Sequence, residues 1–170
     1  MANFGPVYTS PPTKMSGSAV CRVSASASAV SFLPYGTLVD AFQHAVYEES
    51  AMTPKERNAK WYALQQQFLP DVDAEGLPAF GEGRWWQRQM HIYETPFYYI
   101  DYVIAQLTAL QFYALSKTDY KKAFETYMTF LKKGGTEDYR SLMASAGLSD
   151  PFEEETFPAI VKAVEEALDL

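Results

Sequence analysis

Tyr98, Tyr99 and Tyr102 fall within five residues of one another on a mostly apolar stretch, and His91 stands seven residues before the first of them. In a helix, residues 98 and 102 share one face, and so do 99 and 102. Phenol hydroxyls gathered on an apolar segment must find hydrogen-bond partners or water. Two arrangements meet that demand. In one, the rings pack in a core and the hydroxyls bond internally. In the other, the hydroxyls form a row of donors facing a cleft, where they stabilise charge developing on a carbonyl oxygen. His91, across the Thr95-Pro96 break, can look into the same space. Trp85 and Trp86 follow a glycine-containing loop and are candidates for a pocket wall or for the core.

Other chemistries have less to stand on. The zinc-peptidase signature H-E-x-x-H places two imidazoles on one helix face with a Glu beside them. It is absent, because the only histidines are His44 and His91. His44 and Glu48 sit at i, i+4 and can share a face, with His91 as the one further imidazole for a metal group. The plain alternative is a surface or core pair. The single cysteine, Cys21, allows no disulfide and no Cys-based zinc site within one chain. It reads as an incidental thiol, and the chain is expected to be cytoplasmic. No phosphate-binding glycine loop and no Ser-centred nucleophile elbow is present.

Composition narrows the class. The chain has 170 residues, 48% hydrophobic and 21% charged, which excludes a wholly disordered protein. Its net charge is −7, and no Lys/Arg cluster is longer than Lys132-Lys133, so nucleic-acid binding is not expected. Seven acids and one Lys fall between Asp150 and Leu170, which reads as a solvated acidic helix face. No apolar run reaches the ~18 residues a membrane-spanning helix needs. No cofactor and no membrane partner is implied by the residues themselves.

Stepping along the chain, residues 1–31 are dominated by Ser, Ala, Pro and Thr without a sustained period. They read as a disordered tail or an unrelated leader. Residues 32–170 read as one all-α domain. Thr37 is a candidate cap for a helix carrying Val39, Phe42 and Val46. Thr53-Pro54-Lys55-Glu56 combines a Thr cap, Pro at the first helical position and Glu at the third, a capping box. The helix behind it places Trp61, Leu64 and Phe68 on one stripe. Pro70 to Gly83 is a loop. Thr95-Pro96 restarts a helix over Phe97 to about Leu115, the least polar element and so the central one. Thr118 is expected to cap a helix bearing Phe124, Met128 and Leu131, which Gly134-Gly135 ends. Thr136 opens a short helix ending at Gly147. Thr156 and Pro158 open the last, with Ile160, Val161, Val164 and Leu168 as its buried side.

Several of these segments resemble a known family. Trp86-Gln87-x-Gln89-x-His91-Ile92-x-Glu94-x-Pro96-Phe97-Tyr98-Tyr99-Ile100-Asp101-Tyr102, followed by Ala105-Gln106 and Ala109-Leu110-Gln111-Phe112, is similar to the C-terminal part of the oligoendopeptidase F family. These are helical zinc metallopeptidases related to thimet oligopeptidase. Phe32-Leu33-Pro34-Tyr35-Gly36 with Val39-Asp40-x-Phe42-Gln43-His44-x-Val46-Tyr47-Glu48 resembles the piece just before it. Gly134-Gly135 and Ala146-Gly147-Leu148-x-x-Pro151-Phe152 resemble its closing helices.

The resemblance implies an almost wholly helical fold around a channel that admits short peptides. It implies that His91 matches the family's substrate-contacting His. Among Tyr98, Tyr99 and Tyr102 it implies contacts to the substrate carbonyl and the tetrahedral oxyanion, without fixing which Tyr makes which. In the intact enzyme zinc is held by an H-E-x-x-H helix and a later Glu. Those elements would precede residue 32, where only the Ser/Ala stretch is found, so no metal ligand carries over. The chain thus reads as the last third of a peptidase joined to an unrelated leader, by truncation, frameshift or artificial joining. It is expected to be inactive alone and to self-associate through apolar surface left bare. The other reading is an all-α interaction module or an inert fragment.

Overall fold

The structure, a computed structural model, describes residues 17–73, 76–155 and 157–168, with the backbone path alone for 17–27 and 167–168. The described residues form helices and connecting turns, with no strand among them. Helix α1 spans Gly17–Glu48 and α2 Pro54–Phe68. Two single-turn helices, α3 (Pro78–Gly81) and α4 (His91–Glu94), flank a 3₁₀ turn at Trp85–Arg88. Then follow α5 (Ile100–Thr118), α6 (Tyr120–Lys133), α7 (Tyr139–Ser145) and α8 (Phe157–Leu168).

Helix α1 departs most from the sequence expectation. It begins at Gly17 and runs through Phe32, so no element boundary falls between 31 and 32. Residues 1–16 of the expected tail, and the side chain of Cys21, lie outside the described residues. The alternating Ser and Ala of 24–29 mask a helix, because Ala is the strongest helix former and Ser can bond back to its own turn. Ser31 Oγ does so, donating to the Ser28 carbonyl at 3.2 Å. Thr37 is interior to α1 and no cap; its Oγ1 donates to the Leu33 carbonyl at 2.9 Å. Pro34, also interior, has no N–H to donate to the preceding turn. Burial holds the helix together across that gap. Ala29, Val30, Phe32 and Leu33 pack on one core, and Leu38, Val39 and Phe42 form another.

The first core joins α1 to α2 and the 3₁₀ turn through Leu38, Val39, Phe42, Trp61 and Trp86. The Phe42 ring meets Trp61 edge-on at 5.1 Å and lies 5.3 Å from Trp86. The Trp86 indole N–H donates to Asn58 Oδ1 at 3.0 Å, so its one polar atom is satisfied. The second core joins α5 to α8 and the middle of α1 through Val103, Leu107, Leu110, Ile160 and Val164. Helix α1 therefore packs on both α2 and α5, and it carries one wall of the site described below.

The caps repeat the same lesson. At α2 the Thr53 hydroxyl accepts from the Glu56 N–H at 3.3 Å and Glu56 reaches back to the Thr53 N–H at 2.7 Å, the full capping box. At α6 and α7 the caps are one and two residues later than the threonines suggest. Asp119 accepts from the Lys122 N–H and Asp138 from the Ser141 N–H, because a carboxylate outcompetes a hydroxyl for these donors. Phe124 and Leu131 line one face of α6 as their spacing requires, yet both are about half exposed. On α8, Ile160 and Val164 are buried, whereas Val161 is exposed; Thr156 and the Leu168 side chain lie outside the described residues.

Candidate functional site

The stretch before α5 is not the capped helix start that Thr95-Pro96 suggests. Thr95 closes α4, and α5 begins only at Ile100. Between them Phe97 adopts φ 61°, the left-handed region that side chains enter at a cost of about 1–3 kcal/mol. Three contacts hold it there. Its N–H donates to Oε1 of the buried Gln43 at 2.8 Å, and its ring lies 5.0 Å from His44 and 4.8 Å from Tyr47. The tight turn sets Tyr98 and Tyr99 just outside the first turn of α5 and brings both beside Tyr102.

His91, at the start of α4, joins the three tyrosines in one aromatic cluster. Its ring centroid lies 4.8 Å from Tyr99 and 5.9 Å from Tyr102. Tyr102 in turn lies 5.6 Å from Tyr99 and 5.2 Å from Tyr98. His91, Tyr99 and Tyr102 line an open cleft of about 540 Å³ with Phe32 of α1 and Ala105 and Gln106 of α5. Tyr98 stands outside that lining and is bonded to Tyr102. Trp86 belongs to the core, and Trp85 packs on Phe80 and beneath the Arg88 guanidinium.

Two of the cleft phenols are shifted upward. Burial raises Tyr99 above the ordinary phenol range. The hydrogen bond with Tyr98 raises Tyr102, with smaller contributions from burial and from neighbouring phenol and carboxylate charge. At neutral pH Tyr99 and Tyr102 both keep their O–H, and that of Tyr102 is directed at Tyr98. Behind the cleft stands Tyr35, whose phenol is held far above the usual value by burial. Its ring meets Tyr99 edge-on at 6.1 Å, and its hydroxyl donates to Gln89 Oε1 at 2.9 Å. Gln89 Nε2 lies 2.7 Å from His91 Nδ1. Tyr35, Gln89 and Gln43 fall within the segments that carry the family resemblance, but the sequence assigns none of them a role. The last two are glutamines whose importance lies in contacts that span 54 residues, and no local pattern signals those.

A zinc ion, which the family resemblance implies for the intact enzyme, does not fit the residues described. No three His, Cys, Asp or Glu side chains come together among them. His44 pairs with Asp40 at 3.5 Å and packs on Phe97, while His91 is engaged by Gln89. The grouping of His44 and Glu48 with His91 is therefore not assembled, because the two imidazoles serve different partners on different elements.

Comparison with known proteins agrees with this architecture. The model of peptidase family M3 matches residues 16–161, and the chain belongs to that family. A solved structure named PZ peptidase A, determined with an inhibitor, is 40% identical with a TM-score of 0.81; the match covers 87% of this chain and 26% of that one. A second, named oligoendopeptidase F, is 40% identical with a TM-score of 0.82 over 88% of this chain and 26% of its own. A third, an oligoendopeptidase F from Bacillus anthracis str. Ames, is 32% identical with a TM-score of 0.67 over 87% and 23%. The chain thus spans about a quarter of the length of the structures it matches. Among curated proteins none matches. No described helix is long and apolar enough to cross a membrane.

Proposed function

We propose that this chain forms the C-terminal, substrate-facing wall of an oligoendopeptidase F-like peptidase, with His91 and Tyr99 donating to the substrate carbonyl and Tyr102 joining them when its hydroxyl turns from Tyr98 to the substrate. The observation that carries this reading is the cleft itself, lined by one imidazole and two neutral phenols. Hydrolysis of a peptide bond builds negative charge on the carbonyl oxygen. Donors already aimed at that oxygen strengthen as the charge grows, and each contributes roughly 2.7–4 kcal/mol to the transition state. The phenols stand at the head of a 19-residue helix, on a turn fixed by Gln43, so little reorganisation is needed when the charge appears.

Activation of the attacking water is assigned to no residue of this chain. Its sequence contains no H-E-x-x-H, and its two histidines have other partners. The chain alone is therefore inactive under this proposal, and short peptides are the substrates of the whole enzyme. The test is peptide hydrolysis by an M3 peptidase whose C-terminal part is residues 17–170, with α1 whole. His91→Gln should lower kcat by roughly 100- to 1000-fold with the fold intact; unchanged turnover would refute the donor role.

A second reading, an interaction module, is favoured by one specific feature. Tyr120, Phe124, Tyr127, Met128 and Leu131 fall on one side of α6 and all are exposed. Contiguous apolar surface of this kind marks a packing site. The two readings are compatible if that face meets the rest of the peptidase.

A further inference from the structure

The Tyr35–Gln89–His91 chain of hydrogen bonds has a direction. A phenol donates one proton and can also accept, a primary amide does both, and a neutral imidazole has one nitrogen of each kind, so the direction is set by the end of the amide that faces Tyr35. Tyr35 donates to Gln89 Oε1 at 2.9 Å, which fixes the amide with its NH₂ toward the imidazole. Gln89 Nε2 then stands 2.7 Å from His91 Nδ1 as a donor, and Nδ1 must meet it with a lone pair. An N–H on Nδ1 would point at an N–H.

We infer that Gln89, oriented by Tyr35, is a positioning residue that fixes neutral His91 as the Nε2–H tautomer and so makes Nε2–H the donor offered to a ligand in the cleft. The inference deepens the reading of His91 as a carbonyl donor and rests on it for its catalytic meaning. The geometry around it is well braced. Tyr35 belongs to the rim of the α1–α2 core and meets Trp61 edge-on at 6.5 Å. Gln89 closes the 3₁₀ turn that buries Trp86, its N–H donating to the Trp86 carbonyl. The imidazole is also held against the Tyr99 ring. Burial keeps the Tyr35 hydroxyl protonated, so its donor role persists across the working pH range. This arrangement parallels the way a buried partner on one imidazole nitrogen decides what the other can do.

Long-range ¹H–¹⁵N correlation spectra of the two imidazoles, recorded on the 170-residue chain above the histidine titration range, read the tautomer directly. His44→Gln identifies the His91 signals, and His44 lies outside the cleft. The wild type is expected as Nε2–H, with Nδ1 shifted by its accepted hydrogen bond. Gln89→Glu presents only acceptor oxygens to the ring, so His91 should invert to Nδ1–H. A wild-type ring in the Nδ1–H form, or a folded Gln89→Glu chain that stays Nε2–H, would overturn the inference. Should Gln89→Glu not fold, Gln89→Met decides the matter: the Nδ1 resonance must move once its donor is gone, and an unmoved resonance overturns the inference. The spectra need no turnover. Correct tautomer control together with normal hydrolysis by His91→Gln would sink the donor role and leave this inference standing.

Discussion

Gly36 of α1 lies directly against Val103 of α5: a Cβ built on Gly36 would stand 2.3 Å from Val103 Cγ2. The contact lets the two helices approach where one carries Phe32 and Tyr35 and the other opens after Tyr99. Val103 is buried and β-branched, and in a helix such a side chain strongly prefers one rotamer, so it yields little. Gly36→Val should therefore destabilise the chain by about 1–3 kcal/mol, the usual cost of overpacking. It should also separate the cleft walls. Urea unfolding checks the first effect, and an unchanged midpoint would show that α1 and α5 can part freely.

The capping box at α2 gives a second expectation. Thr53→Ala removes the acceptor for the Glu56 N–H and should cost about 1 kcal/mol. Hydrogen bonds from the Thr53 hydroxyl and N–H hold the Glu56 carboxyl below its ordinary value of 4.5. A lowered carboxylate contributes stability above its unfolded value and loses it as pH falls through its folded value. The gap between wild type and Thr53→Ala should thus narrow below about pH 4.5. A gap that stays constant from pH 7 to pH 3 would remove Glu56 from the cap.

That box was legible because all its parts are local: Thr, Pro and Glu within four residues. The Thr95-Pro96 pair carries the same local signal and misleads, since Gln43, 54 residues away, pulls the Phe97 N–H into a left-handed turn and delays α5 to Ile100. Gly17–Ser31 was hidden for the opposite reason. Its Ser/Ala alternation has no helical period, and its helix is held by packing of Ala29 and Val30 on α5 and α8. The grouping of Tyr98, Tyr99 and Tyr102 could be read from their spacing, whereas Tyr35 and Gln89 could not, because their link to His91 exists only after α1 has folded over the 3₁₀ turn.

Tyr35 makes a third prediction, at alkaline pH. Its folded phenol is raised by burial, then by Tyr99, against a smaller lowering by Arg88. A raised group contributes nothing new below its unfolded value near 10 and costs stability above it, as the unfolded chain sheds a proton the native state keeps. Above pH 10 the wild type should lose about 1.4 kcal/mol per pH unit more steeply than Tyr35→Phe. Parallel slopes would mean that the Tyr35 hydroxyl is solvated.

The apolar face of α6 makes a fourth. The exposed Phe124 and Leu131 should drive concentration-dependent association of the chain. Phe124→Lys with Leu131→Lys should return it to monomer in sedimentation velocity. A wild type that stays monomeric at high concentration would show that this face needs no partner.

The central claim, that the cleft phenols serve the reaction, meets its most direct test in single-residue turnover. In an M3 peptidase carrying residues 17–170 as its C-terminal part, Tyr99→Phe and Tyr102→Phe each remove one hydroxyl lining the cleft and leave the ring packing of the cluster in place. If these hydroxyls donate to the developing oxyanion, at least one variant should lose roughly 100- to 1000-fold in kcat with little change in KM. Near-normal kcat in both would contradict the account and return the cluster to a purely packing role.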